Sequence, residues 1–95
     1  MNENEIIKGC LKNDRASQKT LYEYFYSGML GVCLRYSKNR DEAQDILHEG
    51  FLKVFNNLSK FNNSGSFEGW IRRIMVNTCI DNLRKNTKSN GDVSR

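Results

Sequence analysis

Residues 64–85 read SGSFEGWIRRIMVNTCIDNLRK, and this stretch decides the fold because it predicts a helix with two different faces. Projected at about 100° per residue, one side of the helix is almost entirely apolar. That side holds Phe67, Ile71, Ile74, Met75 and Thr78. A surface helix packs on its own protein through a stripe of this kind. Ser66 can cap the first turn, and the predicted helix runs from 67 to 85 or slightly beyond.

A second face of the same helix is polar and cationic. It carries Arg73, Asn77, Ile80 and Arg84, and Trp70 lies at the border between the two faces. Guanidinium groups pair with phosphates through two parallel hydrogen bonds, and a side-chain amide can donate and accept at a base edge. Trp70 can stack on a base or pack in the core, and packing is the simpler interpretation.

Three further helices precede this one. Apolar residues recur at three- and four-residue steps over 3–12, 15–37 and 41–58, which is the helical period. Asp14 is suited to cap the second helix, and acidic residues open the third, where they favour the positive end of its dipole. Four helices with short connections, and no credible pair of strands, predict an all-α fold that is a small bundle.

Composition limits the class of protein. The chain has 95 residues, which predicts one domain, with no proline and a net charge of +4. The charge is uneven, since residues 67–95 hold six Lys or Arg against three Asp or Glu. Three cysteines without a C-x-x-C pair indicate a reduced protein, with Cys33 and Cys79 in the core. No stretch resembles a membrane span or a signal peptide, so we expect a soluble, cytoplasmic protein.

The third helix carries an acidic strip opposite its apolar stripe. The strip consists of Asp41, Asp45, His48, Glu49 and Leu52. Three interpretations stay open: a solvated helix face, a divalent-metal site built on a carboxylate-x-x-His pattern, and a surface that docks a basic, partly apolar partner. The metal interpretation is weakened because the chain has one histidine, whereas di-metal bundles take a carboxylate-x-x-His from each of two helices.

The connection before the fourth helix is rich in Asn, Ser and Gly, as loops are. It runs from Lys60 to Ser66 and contains a single aromatic residue, Phe61. A loop with one aromatic ring and several amides can enclose an unstacked base. The alternative is an ordinary connection in which the ring of Phe61 packs into the core.

Two segments resemble region 2 of bacterial RNA polymerase sigma factors of the extracytoplasmic-function (ECF) group. They read RDEAQDILHEGFLKVFNNLSKF and FEGWIRRIMVNTCIDNLRK. The family pattern places Asp-x-Ala-x-Asp-Leu-x-Gln-Glu-x-Phe before a loop and Phe-x-x-Trp-(Leu/Ile)-x-x-Ile-x-x-Asn after it. The similarity covers roughly residues 14–88, and its many positions stay in register across both helices.

The resemblance implies a role for each surface. The acidic strip would dock on the clamp helices of the polymerase β′ subunit. The loop residues would receive a flipped base of the promoter −10 element from the non-template strand, and the fourth helix would hold that strand. The implied DNA-binding residues are Lys60, Phe61, Asn62, Asn63, Ser64, Trp70, Arg73, Asn77 and Arg84. An anti-sigma protein is a further candidate partner, and neither catalysis nor a cofactor is expected.

The chain departs from the family pattern at two positions. His48 stands where glutamine is usual, so its contact would depend on pH. Gly50 stands in the apolar stripe where a larger residue is usual, which would loosen the helix or admit a close neighbour. We expect residues 1–88 to form the domain and 89–95 a polar tail or linker. The second domain of such factors, with its helix-turn-helix, is expected to lie outside this chain.

Overall fold

Four α-helices form a small bundle, which confirms the predicted all-α fold. The computed structural model describes residues 1–62 and 65–93, with side chains as far as Lys85 in the last helix. The helices are α1 (Glu3–Leu11), α2 (Arg15–Leu34), α3 (Arg40–Asn56) and α4 (Phe67–Val93). A short 3-10 turn, Leu58–Lys60, follows α3.

Each helix begins at a polar side chain that accepts a hydrogen bond from the backbone N–H three residues later. The caps are Asn2, Asp14, Asn39 and Ser66, with donor–acceptor distances between 2.8 and 3.2 Å. Such caps satisfy N–H groups that have no partner within the helix. The predicted caps at Asp14 and Ser66 are therefore confirmed.

The cap at Asp14 makes part of the stability depend on pH. Its carboxylate accepts from the hydroxyl of Ser17 at 2.7 Å and from the backbone N–H of the same residue at 3.0 Å. These two bonds lower the pKa of Asp14 below its ordinary value of 3.8. A lowered pKa in the folded state means that the stabilisation is present above about pH 4 and is lost as the pH falls through the folded-state pKa.

We therefore expect Asp14→Asn to lower the melting temperature at pH 6, because Asn keeps the cap but lacks the charge. The difference from the unsubstituted protein should be smaller at pH 3, because the stabilisation by a carboxylate with a lowered pKa is lost on acidification below its unfolded-state value. Thermal unfolding followed by circular dichroism at both pH values measures this. A difference that stays constant from pH 6 to pH 3 would show that the charge of Asp14 contributes nothing.

The core lies where α2, α3 and α4 meet. Its fully buried side chains come from all three helices and from the 3-10 turn, and the largest are Leu21, Met29, Leu47, Val54, Leu58, Ile71 and Met75. The apolar face predicted for α4 is confirmed, since Phe67 and Thr78 are also buried and Ile74 is partly buried. Burial of this surface is the main force that orients α4, so its opposite face must point outward.

The predicted starts of the helices agree better with the structure than the predicted ends. The second helix was predicted to reach 37 but ends at Leu34, and the third ends at Asn56 rather than 58. Asn57 follows the end of α3, and its side-chain amide donates to the Lys53 carbonyl at 2.8 Å. The chain then forms the 3-10 turn, in which Leu58 is buried. The last helix extends to Val93, past the predicted end of the domain at 88, and that boundary stays a prediction.

Gly50 admits a close neighbour, as one of the two sequence-based expectations proposed. It is buried in α3, and a Cβ placed there would overlap the sulfur of Met75 in α4. The thioether occupies the volume that a larger side chain at position 50 would take. Gly50 stands where the family pattern has a larger residue, and Met75 of the facing helix fills the space that this residue would take.

Cys33 and Cys79 are fully buried, which confirms their predicted place in the core. Burial, with a smaller contribution from the neighbouring Cys79, raises the pKa of Cys33 to about 12. Burial also raises the pKa of Cys10 and Cys79. All three are free thiols, and because the thiolate is the reactive form, they are poor nucleophiles at neutral pH. Among the described helices, none is long and apolar enough to cross a membrane.

Candidate nucleic-acid interface

The outward face of α4 carries the polar residues that the sequence places there. Arg73, Asn77 and Arg84 are all exposed, while Ile80 is partly buried. The side chains are therefore neither scattered into the core nor covered by the described part of the chain. A helix with one packed face and one accessible cationic face is the arrangement predicted from the sequence.

A pocket of about 290 Å³ opens beside this face, between α4 and the end of α3. We call it the Trp70 pocket. It is lined by Lys53, Asn57, Lys60, Trp70, Ile74, Asn77 and Thr78. Its walls thus combine an aromatic ring, two amides and two ammonium groups. That combination suits a planar, hydrogen-bonding ligand attached to a negative charge, because rings stack, amides read edges and lysines pair with phosphates.

Three aromatic rings support the pocket. Trp70 lies nearly parallel to Phe67, with centroids 6.0 Å apart and an interplanar angle of 14°. Phe61 is tilted against Trp70 at 5.4 Å and against Phe67 at 5.1 Å. Trp70 and Phe61 are both half-buried, whereas Phe67 is buried. Each of the two half-buried rings therefore packs on the core and keeps some surface accessible, which combines the two interpretations given for each from the sequence.

Sequence reasoning missed Lys53 and Asn57, which reach the Trp70 pocket from α3 and its end. Lys53 forms ion pairs with Glu49 at 3.5 Å and with Asp81 of α4 at 3.8 Å. It therefore lies between the acidic strip and the pocket. The four-residue spacing from Glu49 was the one sequence signal for Lys53, since such pairs meet on a helix surface. Its approach to α4 depends on helix packing and has no local signature.

The other predicted residues lie at different distances from the pocket. Arg73 is exposed on α4 but does not line the pocket. Arg84 lines a separate cavity of about 240 Å³ together with Glu49, Asp81 and two further residues of α4. The structure thus brings Trp70, Asn77 and Lys60 together and places Arg84 nearer to the acidic strip. The assignment of Arg84 to DNA binding stays a prediction.

The loop is described in part. Lys60 ends the 3-10 turn and lines the Trp70 pocket, and Asn62 is exposed. Asn63 and Ser64, which the resemblance assigns to base capture, lie outside the described residues. Gly65 follows with φ of 104°, a conformation that glycine adopts without strain and that turns the chain toward α4.

The acidic strip of α3 is exposed along its whole length. Its members are Asp41, Asp45, His48, Glu49 and Leu52. Leu52 is 63% exposed, the largest value among the big apolar residues that the structure describes as exposed. Leu52 lies outside the buried core, at the end of the strip that follows Glu49. It is the kind of residue that a partner buries.

An apolar depression of about 270 Å³ adjoins the strip. It is lined by Tyr22, His48, Phe51, Leu52 and Phe55. The hydroxyl of Tyr22 lies 3.1 Å from Nε2 of His48, which ties α2 to α3 at the surface. Partial burial, with a smaller effect from Tyr26, raises the pKa of Tyr22 above its ordinary value, so this phenol keeps its proton. Tyr22 and Phe55 fall within the apolar periods of 15–37 and 41–58, and neither was predicted to line this surface.

The metal interpretation of the strip can be compared with the geometry. In the part of the chain that the structure describes, no three His, Cys, Asp or Glu side chains come together as a metal site would require. Asp45, His48 and Glu49 share a helix face but do not form such a group. A solvated face and a docking surface require no such group.

Comparison with known protein families shows to which family of helical domains this chain belongs. The model of the sigma-70 region 2 family matches residues 21–89. The chain belongs to the sigma-70 region 2 family. This confirms the predicted family, and both helices that carried the resemblance, α3 and most of α4, lie within the match.

Relatives and a solved structure agree with that assignment. This region 2 domain is 30% identical over 79 residues to the ECF RNA polymerase sigma factor SigW of Bacillus subtilis, covering 83% of this chain and 42% of SigW. It is 27% identical over 79 residues to the RNA polymerase sigma-H factor of Pseudomonas aeruginosa, covering 83% of this chain and 41% of the relative. The chain thus spans about two fifths of the length of these curated relatives.

The fold is shared with an engineered region 2 of sigmaE, solved by NMR in complex with GTAAAA. The TM-score is 0.83 at 22% identity, and the match covers 94% of this chain and 93% of that one. At this level of identity the similarity establishes the fold of the region 2 domain.

Proposed function

We propose that this region 2 domain acts in transcription initiation by binding core RNA polymerase and holding the non-template strand of a promoter −10 element. The Trp70 pocket carries the proposal, because it joins an aromatic wall, Asn77 and two lysines beside the exposed Arg73. The structural neighbour with GTAAAA supports it, since the two share one fold. The similarity to sigma factors of Bacillus subtilis and Pseudomonas aeruginosa supports it as well.

The acidic strip is the proposed polymerase surface, and the clamp helices of the β′ subunit are its proposed target. Exposed carboxylates at Asp45 and Glu49 attract a basic partner, and Leu52 with the adjoining depression offers it an apolar anchor. Charge complementarity speeds association and fixes register, whereas a buried apolar anchor supplies affinity. The carboxylates and Leu52 lie on α3, and Tyr22 of α2 completes the depression, so the docking surface would be centred on one face of α3.

Capture of bases would then stabilise the melted promoter. Stacking of a base on an aromatic side chain contributes ~1–3 kcal/mol, which is comparable to the ~1.4 kcal/mol of one stacking step in duplex DNA. A few captured bases therefore offset the loss of a few base pairs. In this mechanism, Lys53, Lys60 and Arg73 attract the phosphates, while Trp70 and Asn77 hold a base.

The proposed activity is binding, without a catalytic step or a cofactor. We propose that the domain acts with the polymerase in the cytoplasm. We propose no more for this region 2 domain than contacts with the polymerase and the −10 element, and recognition of a complete promoter would need further contacts. An anti-sigma protein is proposed as a further partner, because a ligand on the acidic strip would exclude polymerase.

Single-stranded DNA binding tests the proposed interface. We expect Arg73→Ala and Asn77→Ala each to weaken binding of a labelled GTAAAA-containing oligonucleotide by about fivefold or more, the effect of losing one charged or amide contact. Fluorescence anisotropy at fixed ionic strength measures the affinity. Arg73→Ala should also reduce the slope of affinity against salt concentration, by about 0.7 for one phosphate contact.

Arg72→Ala is the matched control, since it removes the same charge from the neighbouring position. Arg72 is held by Glu68 at 2.9 Å and lines a cavity between α2 and α4, away from the Trp70 pocket. Its affinity for the oligonucleotide should stay within about twofold of the unsubstituted protein, as expected for a screened surface charge. Equal losses of affinity for all three variants would show that the binding is non-specific electrostatic attraction. Unchanged affinity for Arg73→Ala and Asn77→Ala would contradict the proposed interface.

A further inference from the structure

A second cavity lies between α1 and Phe61. Its volume is about 430 Å³, and it is lined by Asn4, Ile7, Lys8, Leu11 and Phe61. We call it the α1 cavity. The resemblance assigns no role to any residue of α1, and the cavity is larger than the Trp70 pocket.

The α1 residues of this cavity form one stripe of the helix. Asn4, Ile7, Lys8 and Leu11 follow the spacing i, i+3, i+4, i+7, which places them on one face. This is the spacing of a packing face, yet Leu11 is 50% exposed and Lys8 and Asn4 are exposed. The stripe therefore meets the 3-10 turn and Phe61 without being covered by the described part of the chain.

The walls repeat the chemistry of the Trp70 pocket. Phe61 offers an aromatic surface, Leu11 and Ile7 an apolar one, Asn4 an amide, and Lys8 a positive charge. The ion pairs found among the described side chains engage Lys53 and Arg72, and Lys8 takes no part in them. A ring, an amide and an ammonium group around a cavity of this volume fit a nucleobase with its phosphate.

Phe61 connects the two sites. It lines the α1 cavity, and its ring packs 5.4 Å from Trp70, which lines the other pocket. Lys60, the preceding residue, lines the Trp70 pocket. The two sites are therefore linked through residues 60 and 61 and through the contact of Phe61 with Trp70.

We propose that the α1 cavity is a second subsite for an unpaired nucleotide of the same DNA strand, with Phe61 and Leu11 enclosing the base, Asn4 at its edge and Lys8 on its phosphate. This inference rests on the proposed function and extends it to α1. A strand held in two subsites on either side of Phe61 resists re-annealing at two positions. The two sites together define a longer recognised segment than the Trp70 pocket alone.

Abasic scanning of a single-stranded oligonucleotide tests the proposal with the full chain. The probe is a labelled 12-nucleotide DNA containing GTAAAA, with one base removed at a time, and fluorescence anisotropy gives each affinity. Two subsites predict two separate positions at which removal of the base weakens binding by about fivefold or more, the effect of one lost stacking contact. In Leu11→Ala, base removal at one of those positions should have no further effect, while the other position should keep its full loss.

Lys8→Ala supplies an independent measurement. It should lower the slope of affinity against salt concentration by about 0.7, whereas Lys19→Ala, which removes the same charge from an exposed position on α2, should leave the slope nearly unchanged. The inference is wrong if Lys8→Ala behaves as Lys19→Ala does, or if Leu11→Ala keeps both losses. Arg73→Ala separates the two proposals: if it loses affinity while the α1 variants do not, the proposed function stands and the second subsite falls.

Discussion

Reversing one carboxylate of the acidic strip, in the variant Asp45→Lys, is expected to lower the affinity for core RNA polymerase by about 100-fold or more, since placing like charges across an interface costs several kcal/mol. Asp45 is exposed, and the ion pairs of the described side chains do not include it. Its replacement should therefore leave the fold intact, and the loss should come from the interface alone. Pull-down with purified core polymerase, followed by competition binding, measures the effect.

Leu52→Asp should have an effect of similar size for a different reason. It removes the apolar anchor and places a charge where the partner must exclude water. Because Leu52 is 63% exposed, its loss should not destabilise the isolated domain. The loss of affinity on Asp45→Lys should decrease at high salt, whereas the loss on Leu52→Asp should persist.

Glu23→Lys is the matched control for the charge reversal. Glu23 is exposed on α2, and the reversal changes the net charge by the same amount as Asp45→Lys. Polymerase binding by Glu23→Lys should be close to that of the unsubstituted domain. If Asp45→Lys and Leu52→Asp both bind polymerase as this control does, the acidic strip is a solvated helix face and the proposed docking surface is wrong.

The second large effect concerns Gly50 and Met75, which should be strongly coupled. Gly50→Leu overpacks the contact between α3 and α4 and is expected to cost ~1–3 kcal/mol or more. Met75→Ala leaves a cavity and should cost ~2–5 kcal/mol. In the double variant the leucine can occupy the space that the thioether leaves. We therefore expect the combined loss in the free energy of unfolding to be smaller than the sum by roughly 2 kcal/mol.

Urea unfolding of the four proteins in this cycle gives the coupling directly. Gly50→Ala serves as the milder substitution if Gly50→Leu does not fold. Gly28→Leu is the control, because a Cβ at this exposed glycine of α2 meets no atom within 4 Å. It should be neutral or stabilising by up to ~1 kcal/mol through helix propensity. Additive losses at positions 50 and 75 would show that the two residues do not share one volume.

The sequence predicted those features of the fold whose causes are local. Caps at Asp14 and Ser66 and the apolar period of each helix act over a few residues, so the helix starts and the packed face of α4 could be predicted. The ends of α2 and α3 depend on tertiary packing. Leu58 continues the period of α3, but the core draws it inward through a 3-10 turn that no local pattern indicates.

The residues of the candidate site also fall into those that one helix alone predicts and those that depend on how the helices pack. Projection of one helix predicted that Arg73 and Asn77 share an exposed face, because that face is a property of α4 alone. Lys53 and Asn57 enter the Trp70 pocket from α3 and its end, and their approach follows from the way in which the helices pack. The α1 cavity depends on the meeting of α1 with Phe61, two segments some fifty residues apart in the printed sequence.

The close contact of Gly50 with Met75 has a consequence for geometry at a promoter. It lets α3, with the acidic strip, pack closely against α4, with the Trp70 pocket. Under the proposed function, the acidic strip binds the polymerase and the Trp70 pocket binds a nucleotide. The distance between the bound polymerase and the bound nucleotide would then be set by the domain. The packing of α3 on α4 would then set the distance between the transcription start and the position at which the DNA first opens.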